Sequence, residues 1–500
     1  MERSRARRIH PRRTLPALAV VLAVASLAAC SAGSGRVALP EPGAGACGPE
    51  RSGDVAPAGT LTVVADGPAR PVRLPHTRSL AERLLVRHLH RSLVRVDCRG
   101  RIRPELAAGW SREADGRRWR FRLREASAPD GNPITAGTVV AAWQESRLAA
   151  PPPGPGLLDS LDARAAGPRA LVVEAPRPLP SPAVFARPAF AVVERPAAGG
   201  WPGATGPYRT DRAFRFPASA GRARVLALRP LAGGSGPRLR VAPSGPGRAR
   251  DLVDAGADLL LTRHPAVLAY AEAAGEMDVR PLPWDRTYLL LVPPGGAPPS
   301  VAGEAREDPE AQEALRRSLA RWAVRGAARP AGAAGWWTRG SCGNGGDVLR
   351  GPAGGEGPAD GEGPDPGRSV LVHPRADRPA ADLAGRLAAL AGRGGGTALP
   401  WPPAAAPRRT EPLGRTAFRR SLAAGRAAGY VLPVRRRVLD PCGARAALRA
   451  RAPWLARPGA RVVPLVATRP GLAVRRGVGG LRIDWDGVPR LGDATRREEP

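Results

Sequence analysis

The stretch Arg101-Ile-Arg-Pro-Glu-Leu-Ala-Ala-Gly-Trp110, running on through Trp119-Arg-Phe-Arg-Leu-Arg124 to Asp130-Gly-Asn-Pro-Ile-Thr-Ala136, has the sharpest pattern in the chain. Between Arg117 and Arg124 the side chains alternate. Trp119, Phe121 and Leu123 fall on one face, and Arg118, Arg120, Arg122 and Arg124 on the other. A period of two with one apolar face is a half-solvated β-strand. Asp130-Gly131-Asn132-Pro133 then has turn chemistry. Thr135 to Leu148 reads as a helix with Val139, Val140 and Trp143 facing inward. Trp110 and Trp119 are expected to be core aromatics.

Strands and helices alternate on both sides of this stretch. An opening strand is expected at 60–65, and a helix at 79–94 with Leu80, Leu84, Leu85 and Leu89 at helical spacing behind Ser79 as N-cap. Further strand runs lie at 170–174, 224–228, 287–292, 369–372 and 462–466, and further helices at 309–325, 379–391 and 415–424. Gly- and Pro-rich breaks fall at 293–305, 327–346 and 351–368. No internal repeat is present, and the pattern is mixed α/β.

Composition bounds the function classes. A chain of 500 residues with 43% hydrophobic content can build about two or three packed domains, which excludes a wholly disordered protein. Gly does not recur every third residue, so a collagen repeat is excluded. The formal charge is +33, and all 77 basic residues are arginine. Such a charge is one signature of a nucleic-acid partner. The absence of lysine, the excess of Ala, Gly and Pro, and aromatics at only 4% point instead to codon bias spread over the whole chain. No nucleic acid is expected as partner.

The first thirty residues set the compartment. Arg3, Arg5, Arg7, Arg8, Arg12 and Arg13 precede an apolar stretch from Leu15 to Ala29. That stretch has the length of a signal-peptide core, short for a membrane span, and it is the only apolar run near that length, which excludes a multi-span membrane protein. It ends in Leu27-Ala28-Ala29-Cys30, a sequence that looks like a bacterial lipobox with Cys30 as the lipidated residue. Residues 1–29 are therefore expected to be removed, which lowers the charge to +28, and 30–58 to form a flexible Gly-, Ala- and Pro-rich tether.

Four further cysteines remain: Cys47, Cys98, Cys342 and Cys442. In an oxidising compartment they allow two disulfides in three connectivities, of which Cys47–Cys98 with Cys342–Cys442 is favoured. No Cys/His spacing suggests a metal, and His88 and His90, two residues apart, fall on different faces of a helix. There is no GxSxG, phosphate-binding Walker loop or HExxH. No catalytic residue, cofactor or metal is expected.

The residues from Arg101 to Trp110, then Asp115-Gly116, Trp119 to Arg124, Asp130 to Ala136 and Val139 to Trp143 resemble, in order and spacing, the bacterial solute-binding proteins of the peptide/nickel type, extracellular family 5. Thr205-Gly-Pro-Tyr-Arg209, Thr287-Tyr-Leu-Leu-Leu291 and Gly480-Leu-Arg-Ile-Asp-Trp-Asp-Gly487 are similar to further family segments. The resemblance implies an α/β, periplasmic-binding-protein-like (type II) fold of two hinged lobes plus an additional domain. Lobe I would comprise 59–80, 200–285 and 470–500, the additional domain 81–199, and lobe II 286–469. It implies a monomer that captures a peptide or similar small solute outside the cytoplasmic membrane and hands it to ABC permease subunits. The alternative is a degenerate relative acting as a surface sensor or scaffold. Tyr288, Tyr208, Arg435 and Arg436 are the candidate ligand-binding residues.

The chain also departs from the family. Thr138 replaces an acidic residue, and Val292-Pro293 replaces the asparagine of the Tyr288 strand. The family's acidic D-Y-x-D-P segment, partner of a peptide amine in relatives, is absent; near it stand Gly429-Tyr-Val-Leu-Pro433 and Arg435-Arg-Arg437, with Asp440-Pro441 beyond. The anchor is tested directly: Cys30→Ser should release the protein from the membrane fraction or leave it unprocessed, and unchanged membrane retention would refute the lipobox.

Overall fold

The computed structural model describes residues 47, 59–71, 74–148, 157–194, 203–211, 225–231, 234, 236–294, 317, 319, 328–331, 370–392, 407–436, 439 and 441–496. The leader, Cys30, Cys342 and most of the expected helix 309–325 lie outside them. Among the described residues no helix is long and apolar enough to cross a membrane.

Three large sheets organise the described residues. The first has seven strands in the order Met277–Pro281, Gly471–Arg475, Leu259–Thr262, Thr60–Asp66, Arg238–Ser244, Leu226–Pro230 and Tyr208–Thr210. Its centre is parallel, with Thr60–Asp66 paired to Arg238–Ser244 and Leu259–Thr262. A parallel centre must be covered on both faces. Leu61, Val63 and Ala65 point into one core with the helix Leu80–Leu89, while Val64 packs on the other side beneath the helices Pro246–Asp254 and Pro265–Ala273.

The second sheet has six strands in the order Ala328–Pro330, Arg461–Thr468, Arg286–Val292, Gly429–Arg435, Val370–Pro374 and Arg409–Leu413. Its strand Arg286–Val292 is almost wholly apolar and is sandwiched between two cores. Leu290 and Val292 face the helix Arg378–Gly392, and Leu289 and Leu291 face the helices Arg415–Ala424 and Pro441–Arg451. The chain enters this sheet through Leu282–Asp285 and leaves it through Arg469-Pro470. The two crossings are bonded to each other, with Leu282 N–H donating to Pro470 O (3.0 Å) and Asp285 N–H to Thr468 O (3.3 Å).

The third unit is an antiparallel sheet, Ala107–Arg112, Arg118–Leu123, Ala170–Glu174 and Asp162–Ala165, backed by the helix Ala136–Leu148. The alternation read from sequence holds: Trp119, Phe121 and Leu123 are buried, and Arg120, Arg122 and Arg124 are exposed. Phe121, Trp143, Phe185 and Phe190 form an aromatic cluster with ring centroids 5.1–6.1 Å apart. The Trp143 indole N–H donates to Phe190 O at 3.1 Å, so this large ring is buried with its one polar atom satisfied.

Two boundaries differ from the sequence reading. The expected helix 79–94 ends at Leu89, because Val94–Val96 pairs with Ile102–Pro104 as a small β-ribbon. Its start was legible: Ser79 and Glu82 form a reciprocal capping box. This helix also packs on the first sheet rather than inside the third unit, so the change of unit falls after residue 89, not at 80/81. Its C-terminal end meets the Thr205-Gly-Pro-Tyr208 turn, where Thr205 and Gly206 N–H groups donate to Leu89 O. A Cβ on Gly206 would lie 2.6 Å from His88 O, so only glycine fits this approach.

Cys47 and Cys98 are disulfide-bonded, joining residue 47 to the 98 loop. Arg87, Asp484, Asp486, Arg490 and Glu105 form a buried ionic network that ties the helix and the third unit to the C-terminal segment.

His88, expected on a helix face apart from His90, uses both ring nitrogens: Nδ1–H donates to Leu84 O (2.8 Å) and Nε2 accepts from Leu491 N–H (3.2 Å). That arrangement requires the neutral ring, and burial pulls the group down to about 4. The folded value lies below the unfolded one, so this contribution is complete above the ordinary histidine range and is lost as pH falls towards 4. It amounts to roughly 3 kcal/mol. Melting temperature against pH should therefore be flatter in His88→Gln than in the parent between pH 6.5 and 4; identical slopes would refute the assignment.

Candidate functional site

A cavity of about 810 Å³ opens where the three units meet. The first sheet's unit contributes Thr77, Arg83, Trp284 and Asp285, the third unit Arg187 and Phe190, and the second sheet's unit Arg286, Asp377, Phe418, Arg435 and Arg436, among others. The crossing Leu282–Asp285 forms part of its wall, so the cavity sits at the hinge between the two large sheets.

Asp285 is the centre of this site. Its carboxylate accepts from Arg83 Nη2 (2.8 Å) and from the Arg263 guanidinium, and its carbonyl accepts from Arg436 N–H (2.8 Å). Arg83 also donates to Asp486 O (3.2 Å). Each partner comes from a different piece of chain: Arg83 from the capped helix, Arg263 from the loop after Leu259–Thr262, Arg436 from the end of Gly429–Arg435. Burial alone would push the Asp285 carboxyl up, but the Arg263 and Arg83 guanidiniums overcome this and hold it well below the carboxylate range. Burial and the neighbouring Arg286 bring Arg263 down to about 10.

Asp377 anchors the opposite wall. It accepts from Tyr288 O–H (3.0 Å) and Ala380 N–H (3.1 Å) and lies 3.7 Å from Arg286. Arg435 donates through Nη1 to Thr77 O (2.8 Å), bridging the two lobes. Burial pulls its guanidinium far below the ordinary arginine value, and Arg83, Arg263 and Arg286 add to the shift. Arg329 and Arg469 each lie over the Trp284 ring at 4.4 Å from its centroid, two cation–π contacts at the crossing.

Of the four residues picked from sequence, Arg435 and Arg436 line the cavity. Tyr288 does not. It lies buried behind the wall, where its hydroxyl orients Asp377. Tyr208 is corrected outright: it is 1% exposed in the core of the first sheet, edge-on to His88 at 5.4 Å, away from the cavity. The bend that seats it serves to cap the helix Leu80–Leu89. Sequence reading missed Arg83, Asp285 and Asp377. A signal existed in Pro283-Trp-Asp-Arg286, a polar interruption between two strand runs, and in Arg83 on an otherwise apolar helix. Among the described residues no group of three or more metal-ligating side chains comes together. The charge balance is distinctive. Ten arginines and four aspartates line the cavity, so its walls are strongly cationic.

Residues 101–214 match the family "Bacterial extracellular solute-binding proteins, family 5 Middle". No curated protein matches the chain by sequence. Solved structures similar to it include the Escherichia coli murein tripeptide binding protein MppA (TM-score 0.56, 15% identity, 89% of this chain and 100% of that one). Others are NikA from Brucella suis in complex with Fe(III)-EDTA (0.57, 13%, 88% and 100%) and the ABC transporter substrate binding protein CtaP from Listeria monocytogenes (0.58, 11%, 88% and 100%). The fold is thus the type II periplasmic-binding-protein-like α/β fold, two hinged lobes with an added unit.

Removing the central carboxylate leaves Arg83 and Arg263 buried without their partner. Asp285→Asn should cost about 3–5 kcal/mol, read as a marked drop in melting temperature. Glu174→Gln, at an exposed ion pair with Arg118, should leave the melting temperature nearly unchanged. Equal effects from the two would refute the central role of Asp285.

Proposed function

We propose, from the match of residues 101–214 to the family 5 middle region and from the fold shared with solved solute-binding proteins, that the chain is a lipid-anchored substrate-binding component of an ABC importer. It captures a peptide or similar small solute outside the cytoplasmic membrane and delivers it to the permease subunits. The observation that carries this reading is the 810 Å³ cavity at the hinge, walled by both lobes and the added unit. A cavity so placed closes when the lobes rotate about the two bonded crossings, which is how a hinged binding protein sequesters its ligand. Nothing in this role calls for chemistry on the solute. Lipid on Cys30, followed by the 30–58 tether, would keep the body near the permease and leave it free to turn.

A sensor or scaffold without a ligand would have no need of an open cleft, and the cavity favours the transport reading over that alternative. The structural similarity to MppA, a murein tripeptide binding protein, supports small peptides as the first ligands to screen. Native mass spectrometry and thermal-shift measurements on the purified full-length protein with di- and tripeptide and sugar libraries should give at least one saturable ligand. Deleting the gene should abolish uptake of that ligand by cells. Absence of any ligand, or binding without an effect on uptake, would overturn the transport reading.

A further inference from the structure

The hinge cavity holds more positive charge than its carboxylates balance. Around Asp285 stand Arg83, Arg263, Arg286 and Arg435, all close enough to act on one another electrostatically. Arg83 and Arg263 share the Asp285 carboxylate, and Arg286 faces Asp377 at 3.7 Å. No carboxylate lies in ion-pair range of Arg435 among the described residues. One of its nitrogens donates to the Thr77 carbonyl, and Nη2, shut off from water, has no hydrogen-bond partner. Arg435 is half-buried, yet this nitrogen is shut off from water while three other guanidiniums press on the group and only Asp285 acts against them, an arrangement that an arriving anion would relieve. A planar fork of this kind is matched by the two oxygens of a carboxylate or phosphate.

Resting on the solute-binding reading above, we propose that the cavity selects a solute bearing a carboxylate or phosphate group, and that this anion docks on Arg435 beside Arg83 and Arg286. The arginine also crosses the cleft from the second lobe to Thr77 on the first, so an anion bound there touches both sides of the hinge. Phe418, Leu432 and Leu448 on the cavity wall offer apolar surface for the uncharged remainder of the solute. A cationic or amine-led ligand would face repulsion at the same place. Specificity then comes from charge exclusion as much as from attraction.

The test uses full-length purified protein and its tryptophan fluorescence, since Trp284 and Trp485 line the cavity. Four probes are titrated: N-acetyl-Glu-Glu, glycerol 3-phosphate, an N-acetylated tripeptide amide of alanine, and spermidine. One of the two anions should bind saturably, the neutral and cationic probes at least about tenfold more weakly. Arg435→Met should weaken the anion about ten- to a hundredfold, with Arg435→Lys recovering part of it. Arg120→Met, on the outer face of the third unit, should change nothing. Because the variant removes an uncompensated charge, ligand-free Arg435→Met should melt no lower than the parent. A preference for the neutral or cationic probe, unchanged by Arg435→Met, overturns the anion assignment and leaves solute capture standing. A melting temperature lowered as far as in Asp285→Asn shows Arg435 already compensated and also overturns it. No binding of any probe or of the peptide and sugar libraries overturns both.

Discussion

Asp285 occupies the one point through which the chain must pass from one large sheet to the other. Its backbone N–H is bonded to the returning crossing at Thr468, its carbonyl to Arg436, and its carboxylate to Arg83 and Arg263. A single residue thereby fixes the entry angle of the second lobe, the position of the capped helix and the loop at the end of the parallel strands. The interaction is demanding because Asp285 and Arg83 are buried and Arg263 and Arg436 are at most half-exposed. A carboxylate in that setting is tolerable only when guanidiniums supply what water no longer does, and the guanidiniums are tolerable only while the carboxylate is ionised. The cavity is shaped by this mutual dependence, since the residues that hold the hinge are also its walls.

A second ionic layer lies just behind. Arg87 and Arg490 with Asp484, Asp486 and Glu105 join the helix Leu80–Leu89, the added unit and the C-terminal segment. Buried ionic groups of this kind contribute little net stability compared with apolar packing, but they are unforgiving about register. Together with the glycine that lets the Thr205–Tyr208 turn approach the helix end, they fix how the three units sit around the cleft. The apolar cores carry less of that information, because most of their residues come from one unit each, with only small contacts such as Leu74 and Val86 against Ala191 and Val193 crossing between units.

The arginine excess divides into two populations. Arg118 and Arg120 are solvated and paired with Glu113 and Glu174 on the outer sheet face, where such pairs are worth little. Codon bias explains them as well as any function does. The arginines of the hinge differ by location alone: withdrawn from water, they impose an electrostatic requirement on whatever enters. Residue type cannot separate the two populations, since both are arginine in a chain that has no lysine.

By itself the sequence determined what depends on short-range pattern. The Trp119–Leu123 alternation, the Ser79 cap, the helix Arg415–Ala424 and the mostly apolar 287–292 run follow from periodicity, capping and burial on local chain. The same residues carried the resemblance to the family. Arg435 and Arg436 were legible as a charge cluster close to a family position. Tyr208 was misread because a tyrosine after a Gly-Pro turn looks alike whether it faces a cleft or a core, and the side of the sheet is chosen by pairing with Leu226–Pro230. Tertiary structure alone decided that Arg83, Arg263, Asp285 and Arg435, separated by up to hundreds of residues, share one buried volume. The reason is physical: the strength of a charge interaction depends on distance in space and on exclusion of water, and neither is written in the order of the residues.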